Sequence, residues 1–112
     1  MPCSLRILAV LTVVFAGLAS AAGERCSALD GNTLQCGRER VRVDGLSSPQ
    51  LYESGGHEAR DRLQRRIQSG ELVIERKGRD RFGRTLGRAY VNGNRVTQLD
   101  ISPGSGKHPR RR

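Results

Sequence analysis

The sequence predicts a mainly β domain with one helix, a five-stranded Greek-key barrel of the OB type. Three observations lead there. Short segments of strand character are separated by Asx-Gly turn signals, as in Asp30-Gly31-Asn32 and Asn92-Gly93-Asn94. One central stretch has a helical apolar period. The order along the chain is strand-strand-strand, helix, strand-strand.

Each element has its own local cause. Cys26 to Leu29 and Thr33 to Cys36 flank the Asp30-Gly31 turn and read as a hairpin. Arg40-Val41-Arg42-Val43 alternates cationic and apolar residues, which fits a half-buried strand. Residues 45–56 form a loop, with Ser47-Ser48-Pro49 inside it and Gly55-Gly56 closing it. A helix is expected from about His57 to Gln68, with Ala59, Leu63 and Ile67 as a narrow apolar stripe. Glu58 and Asp61 in its first turn, and Arg65 and Arg66 near its end, match the sign of the helix dipole; Gly70 is the expected stop. Leu72-Val73-Ile74 starts the next strand, Gly78 to Gly83 is a charged turn, and Arg84 to Val91 is a strand carrying Leu86 and Tyr90. The Asn92-Gly93-Asn94 turn then leads into Val96 and Leu99.

The chain of 112 residues divides into three parts. Residues 1–21 read as a signal peptide, with Arg6, an apolar run from Ile7 to Leu18, and the small-residue site Ala19-Ser20-Ala21. An uncleaved anchor is the alternative, but the apolar run is short for a bilayer. Residues 22–101 hold the barrel domain. Residues 102–112 are Gly, Ser, Pro and basic residues, an expected disordered tail. Within the tail, Gly106-Lys107-His108 lacks the upstream Gly and following Ser/Thr of a phosphate loop. The expected location is secreted or periplasmic. There Cys26 and Cys36, facing each other across the hairpin, are expected to form a disulfide worth about 2–3 kcal/mol. Two cysteines with no histidine nearby do not complete a zinc shell.

Charge narrows the partners. Lys+Arg number 20 against 11 Asp+Glu, a net +9, and most of the cations are arginine. The leader carries one cation and no acid, so cleavage lowers the excess by one. Such a surface favours nucleic acid or another polyanion, and the arginine fork suits phosphate. Stable membrane insertion is not expected, because the Ala59, Leu63, Ile67 stripe is narrow.

Four segments, in order, resemble the thermonuclease (staphylococcal nuclease) family. Asp30-Gly31-Asn32-Thr33 is similar to that family's Asp-Gly-Asp-Thr turn. Arg40 to Gln50, with Gly45-Leu46-Ser47-Ser48-Pro49 inside, resembles its Arg-Leu-x-Gly-Ile-Asp-x-Pro-Glu segment. Glu58-Ala59 opens the helix, and Asp80-Arg81-Phe82-Gly83-Arg84 resembles the Asp-x-Tyr-Gly-Arg loop. The resemblance runs from about Cys26 to Val96. It implies calcium-assisted hydrolysis of DNA and RNA phosphodiesters by two calcium aspartates, a glutamate base and two phosphate-gripping arginines.

Position by position, the aspartates fall on Asn32 and Ser47, the base falls on Gln50, and the arginines fall on Arg42 and Arg84. All three acids are neutral here, while both cations remain. A hard cation wants carboxylate oxygens. Gln50 cannot accept a proton at working pH, and losing a positioned base costs about 10²–10⁴-fold. No cofactor is expected, with calcium reserved for an active alternative in which Asp30, Asp44 or Glu53 substitutes. The family's C-terminal helices are largely missing, so the barrel is expected to be truncated there.

Three readings follow. The first is a catalytically impaired domain binding nucleic acid or another polyanion through Arg42 and Arg84, with Arg81 and Phe82 beside them. The second is a divergent active endonuclease. The third is a cell-envelope scaffold, in which Arg42 and Arg84 merely pair with Glu53 or Asp44.

Overall fold

Residues 23–104 are described by a computed structural model. The expected leader, 1–21, and the tail beyond 104 lie outside the described residues. The elements run β1 (Ser27–Asp30), β2 (Thr33–Cys36), β3 (Glu39–Val43), α1 (Gly56–Ile67), β4 (Leu72–Arg79), β5 (Thr85–Val91), β6 (Asn94–Arg95) and α2 (Gln98–Ile101).

The first hairpin forms as its turn chemistry dictates. Asp30 pairs with Thr33, and its carboxylate Oδ1 accepts the Asn32 amide at 2.9 Å. Ser27 pairs with Gln35, so the next residues outward are Cys26 and Cys36; these are joined by a disulfide, with Cα atoms 4.2 Å apart. β2 continues antiparallel into β3, and β3 pairs in parallel with β5, Val41 opposite Thr85 and Arg42 opposite Leu86. The crossover between them contains α1 and β4. β4 folds back antiparallel on β5, and β6 adds two pairs to β5.

The sheet order is β1-β2-β3-β5-β4, with β6 paired to β5 off this path. This corrects the expected closed five-stranded barrel: the sheet has six strands and does not close. Among the described residues, one bridge, Gly23 to Leu72, joins the segment before β1 to β4. Beyond that bridge, side chains occupy the two edges where a closing ladder would run. The Glu24 carboxylate accepts the Ile74 amide of β4 at 3.1 Å. Gln64 of α1 accepts the Ala28 amide of β1 at 2.7 Å. An edge amide satisfied by a side chain is withdrawn from strand pairing.

One face of the sheet and one stripe of α1 share an aliphatic core. Along β5 the buried residues Thr85, Gly87, Ala89 and Val91 alternate with half-buried Leu86, Arg88 and Tyr90. Ala59, Leu63 and Ile67 of α1 are buried as the period requires. Leu34, Val41, Val43, Leu72 and Ile74 complete the centre. Each large aliphatic side chain buried there contributes about 1.5–3 kcal/mol. α2 caps one end, with a Thr97–Asp100 capping box and buried Val96 and Ile101.

Several local expectations shift. β4 runs on to Arg79, through an irregularity between Arg76 and Gly78, so the charged turn contracts to the residues before Thr85. Pairing of Gly78 with Leu86 and of Arg79 with Thr85 overrides the weak strand character there. α1 starts at Gly56, which moves Asp61 out of the first turn, and it is capped at Gln68, before Gly70. Gly70 serves a different need: a Cβ there would run into the Asn92 side chain, which accepts the Glu71 amide at 2.9 Å. Leu99 lies exposed, while Val96 carries the packing. Among the described residues, no helix is long and apolar enough to cross a membrane.

Candidate functional site

The two arginines named by the sequence come from adjacent parallel strands. Val41 points into the core, so Arg40 and Arg42 point to the other face. The Val41–Thr85 register places Arg84, the residue before β5, beside Arg40 and one strand over from Arg42.

Their environments differ. Arg42 bends back over the turn after β3, and its Nη1 donates to the carbonyls of Val43 (2.8 Å) and Leu46 (2.9 Å). That turn needs Gly45 at φ +85. Arg42 therefore staples the entry to the 45–56 loop through Nη1. Arg84 is aimed by Asp80. Its Nε donates to Asp80 Oδ2 at 2.7 Å, and Asp80 Oδ1 accepts the amides of Phe82 and Arg84, both at 2.9 Å. Burial pushes the Asp80 carboxyl up, but the backbone and side-chain hydrogen bonds of Arg84, and the Phe82 amide, outweigh it and hold the group below its ordinary value. The Phe82 ring is 70% exposed, with the Arg84 and Arg81 guanidinium carbons 5.6 and 5.9 Å from its centroid. Neither Arg42 nor Arg84 pairs with Glu53 or Asp44 among the described residues. Asp44 instead lies within ion-pair distance of Lys77 (3.5 Å), Arg88 (3.8 Å) and Arg95 (3.4 Å).

The three neutral positions lie on two loops that meet. Gly31 is buried in the β1–β2 turn; a Cβ there would sit 2.5 Å from the Ser48 side chain and 2.7 Å from Ala59 Cβ. The Asn32 carbonyl accepts the Val43 amide at 2.9 Å, fixing this turn to the end of β3. The Asn32 side chain accepts from Thr33 Oγ1 at 3.0 Å. Ser47 is clasped by Gln98 of α2, which accepts its amide at 2.8 Å and donates to its carbonyl at 2.9 Å. The Gln50 amide donates to Glu53 Oε1 at 2.7 Å. Among the described residues, no three His, Cys, Asp or Glu side chains gather as a metal cluster. With an amide and a hydroxyl where the carboxylates would stand, and with two arginines nearby, the donor set does not fit calcium.

Sequence reasoning missed two features. Gln98 holds Ser47 across 51 positions, and no local pattern announces it. The second is a cavity of 380 Å3 where β3 and β5 begin and β4 ends, lined by Arg38, Glu39, Arg40, Arg79, Gly83 and Thr85. Only the abundance of arginine pointed toward it.

Comparison with known proteins places this geometry. Protein ParB of Escherichia coli is 33% identical over 89 residues, covering 76% of this chain and 50% of ParB. Staphylococcal-like nuclease CAN1 of Arabidopsis thaliana is 28% identical over 88 residues, covering 79% of this chain and 27% of that protein. The chain thus spans half or less of the length of these relatives. The staphylococcal nuclease homologue family matches residues 40–105. That span takes in Arg42, Ser47, Gln50, α1, the Asp80–Arg84 loop and α2, while the Asn32 turn precedes it. With more than half of its residues inside the match, the chain belongs to the staphylococcal nuclease homologue family.

Proposed function

We propose that this domain is a secreted or periplasmic, catalytically impaired thermonuclease-like module that binds nucleic acid or another polyanion through Arg42 and Arg84. One observation carries the reading. Arg84 is oriented by Asp80 and stands beside the exposed Phe82 ring, while the acid positions of the site are Asn32, Ser47 and Gln50. The cationic half of a phosphodiesterase site is thereby kept without its base or metal ligands. A guanidinium aimed by a carboxylate grips phosphate with little loss of side-chain freedom. Phe82 adds a face on which a base can stack. The leader-like residues 1–21 support export, and the mass of the exported protein would test cleavage after Ala21.

The test is binding and cleavage of single-stranded DNA and RNA by the purified protein. Binding that weakens linearly in log[salt], with an Arg84→Ala slope smaller by about 0.7, is the expected result. Calcium-dependent cleavage that stops with chelator and in Arg84→Ala would overturn it.

A second reading, an active divergent endonuclease, draws on two observations. The plant relative is called a nuclease. Asp30 and Glu53 also accept the amides of Asn32 and Gln50, so two carboxylates do adjoin the neutral positions. The same cleavage assay decides it, with Asp30→Asn and Glu53→Gln as the variants that would abolish activity.

A further inference from the structure

We propose that the cavity lined by Arg38, Arg40 and Arg79 is a second phosphate subsite, which takes the backbone phosphate next to the one held at Arg84. The inference rests on the reading of Arg84 as a phosphate grip, and it names a single-stranded nucleic acid as the ligand.

The cavity is cationic, and its one acid is already engaged. The side chains of Arg38, Arg40 and Arg79 make no hydrogen bond and no ion pair within 4 Å among the described residues, unlike those of Arg76, Arg88 and Arg95. Glu39 accepts from Arg76 Nε and Nη2 at 3.0 and 2.8 Å and from Thr85 Oγ1 at 2.7 Å. Arg76 is shared with Glu24 at 2.8 Å. The Glu39 charge is therefore largely matched by Arg76 and Thr85, with Arg79 of the cavity acting on it electrostatically.

The cavity is also adjacent to Arg84. Gly83 and Thr85 line it and flank Arg84 in the chain, and Arg40 stands beside Arg84 across the β3–β5 register. Gly83 is at φ +83 with no atom within 4 Å of a Cβ position, which leaves the wall between cavity and loop low. The exposed Phe82 ring lies against the Arg84 guanidinium, 5.6 Å from its centroid, in the loop whose Gly83 lines the cavity. Two adjacent phosphate positions with an exposed aromatic face beside them suit a nucleotide backbone whose base is unstacked from its neighbours, and so a single strand. A sulfated polysaccharide would use the arginines and leave the ring unused.

The experiment measures competition by (dT)8 and by the dinucleotide (dT)2, with its single phosphate, against labelled (dT)8 across a salt series. Wild type, Arg40→Gln/Arg79→Gln, Arg84→Ala and Phe82→Ala are compared, each first shown folded by its thermal melt. The double variant is expected to lose about tenfold or more for (dT)8, to lower its salt slope by about 1.4, and to leave (dT)2 binding unchanged. Arg84→Ala is expected to weaken both probes. A double variant that matches wild type in (dT)8 affinity and slope overturns the subsite while the Arg84 reading stands. Binding of neither probe by wild type overturns both. A heparin fragment that competes as well as (dT)8, with Phe82→Ala unchanged, overturns the nucleic-acid assignment.

Discussion

At Arg84, one carboxylate does three jobs. Asp80 accepts two amides of its own loop and one guanidinium N–H, so the direction of Arg84 depends on it. In Asp80→Ala, the Phe82 and Arg84 amides are expected to exchange with deuterium markedly faster, while core amides such as Val41 keep their protection. Hydrogen exchange resolved by residue checks this. Glu39 sets a pH dependence. Hydrogen bonds from Arg76 first, and then from Thr85, hold its carboxyl at about 2 against an ordinary 4.5. A carboxylate lowered in the folded state stabilises fully above its unfolded value, and that stabilisation is lost as pH falls through the folded one. Melting temperature is therefore expected to drop between about pH 4.5 and pH 2, and Glu39→Gln is expected to flatten the drop. The residue types at the site were legible in the chain; their partners were not. Arg42 bonds to carbonyls one and four residues on, a consequence of the Gly45 turn that residue identity does not disclose.

The elements follow their sequence where a short-range cause exists. The β1–β2 hairpin has its Asx turn and its disulfide, and α1 has its stripe at every fourth residue. Leu63 is fully buried in that stripe, so Leu63→Ala is expected to cost about 2–5 kcal/mol in chemical denaturation. A cost under about 1 kcal/mol would mean that the helix does not close the core. Elements depart from the sequence where long-range pairing outweighs propensity. Gly78-Arg79 reads as turn, yet it lies in β4 because β5 supplies partners in Leu86 and Thr85. β6, only two residues long, exists because the Asn92-Gly93 turn returns the chain along β5.

For the molecule as a whole, charge and the open sheet matter together. The formal excess of +9 sets a field that draws in polyanions and makes every affinity salt-dependent. The arrangement of the site decides what is done with them. Asn32→Asp, Ser47→Asp and Gln50→Glu together are expected to create calcium binding, seen by calorimetry, that wild type lacks. If the triple variant also fails to bind calcium, the correspondence of these three positions with the family's acids is wrong. Asn32 is the most exposed to that outcome, because it precedes the matched residues 40–105.

The sequence by itself determined the hairpin turns, the helix stripe, the cysteine pair and the family motifs. Each of these is written in residues close together along the chain, where spacing maps directly onto geometry. Only the tertiary structure decided that the sheet stays open, that Gln98 clasps Ser47, and that three arginines share one cavity. Those outcomes rest on contacts such as Glu24 to Ile74 and Ser47 to Gln98, 50 and 51 positions apart. No local pattern can encode such contacts, because the two sides meet only after the core has brought the strands together.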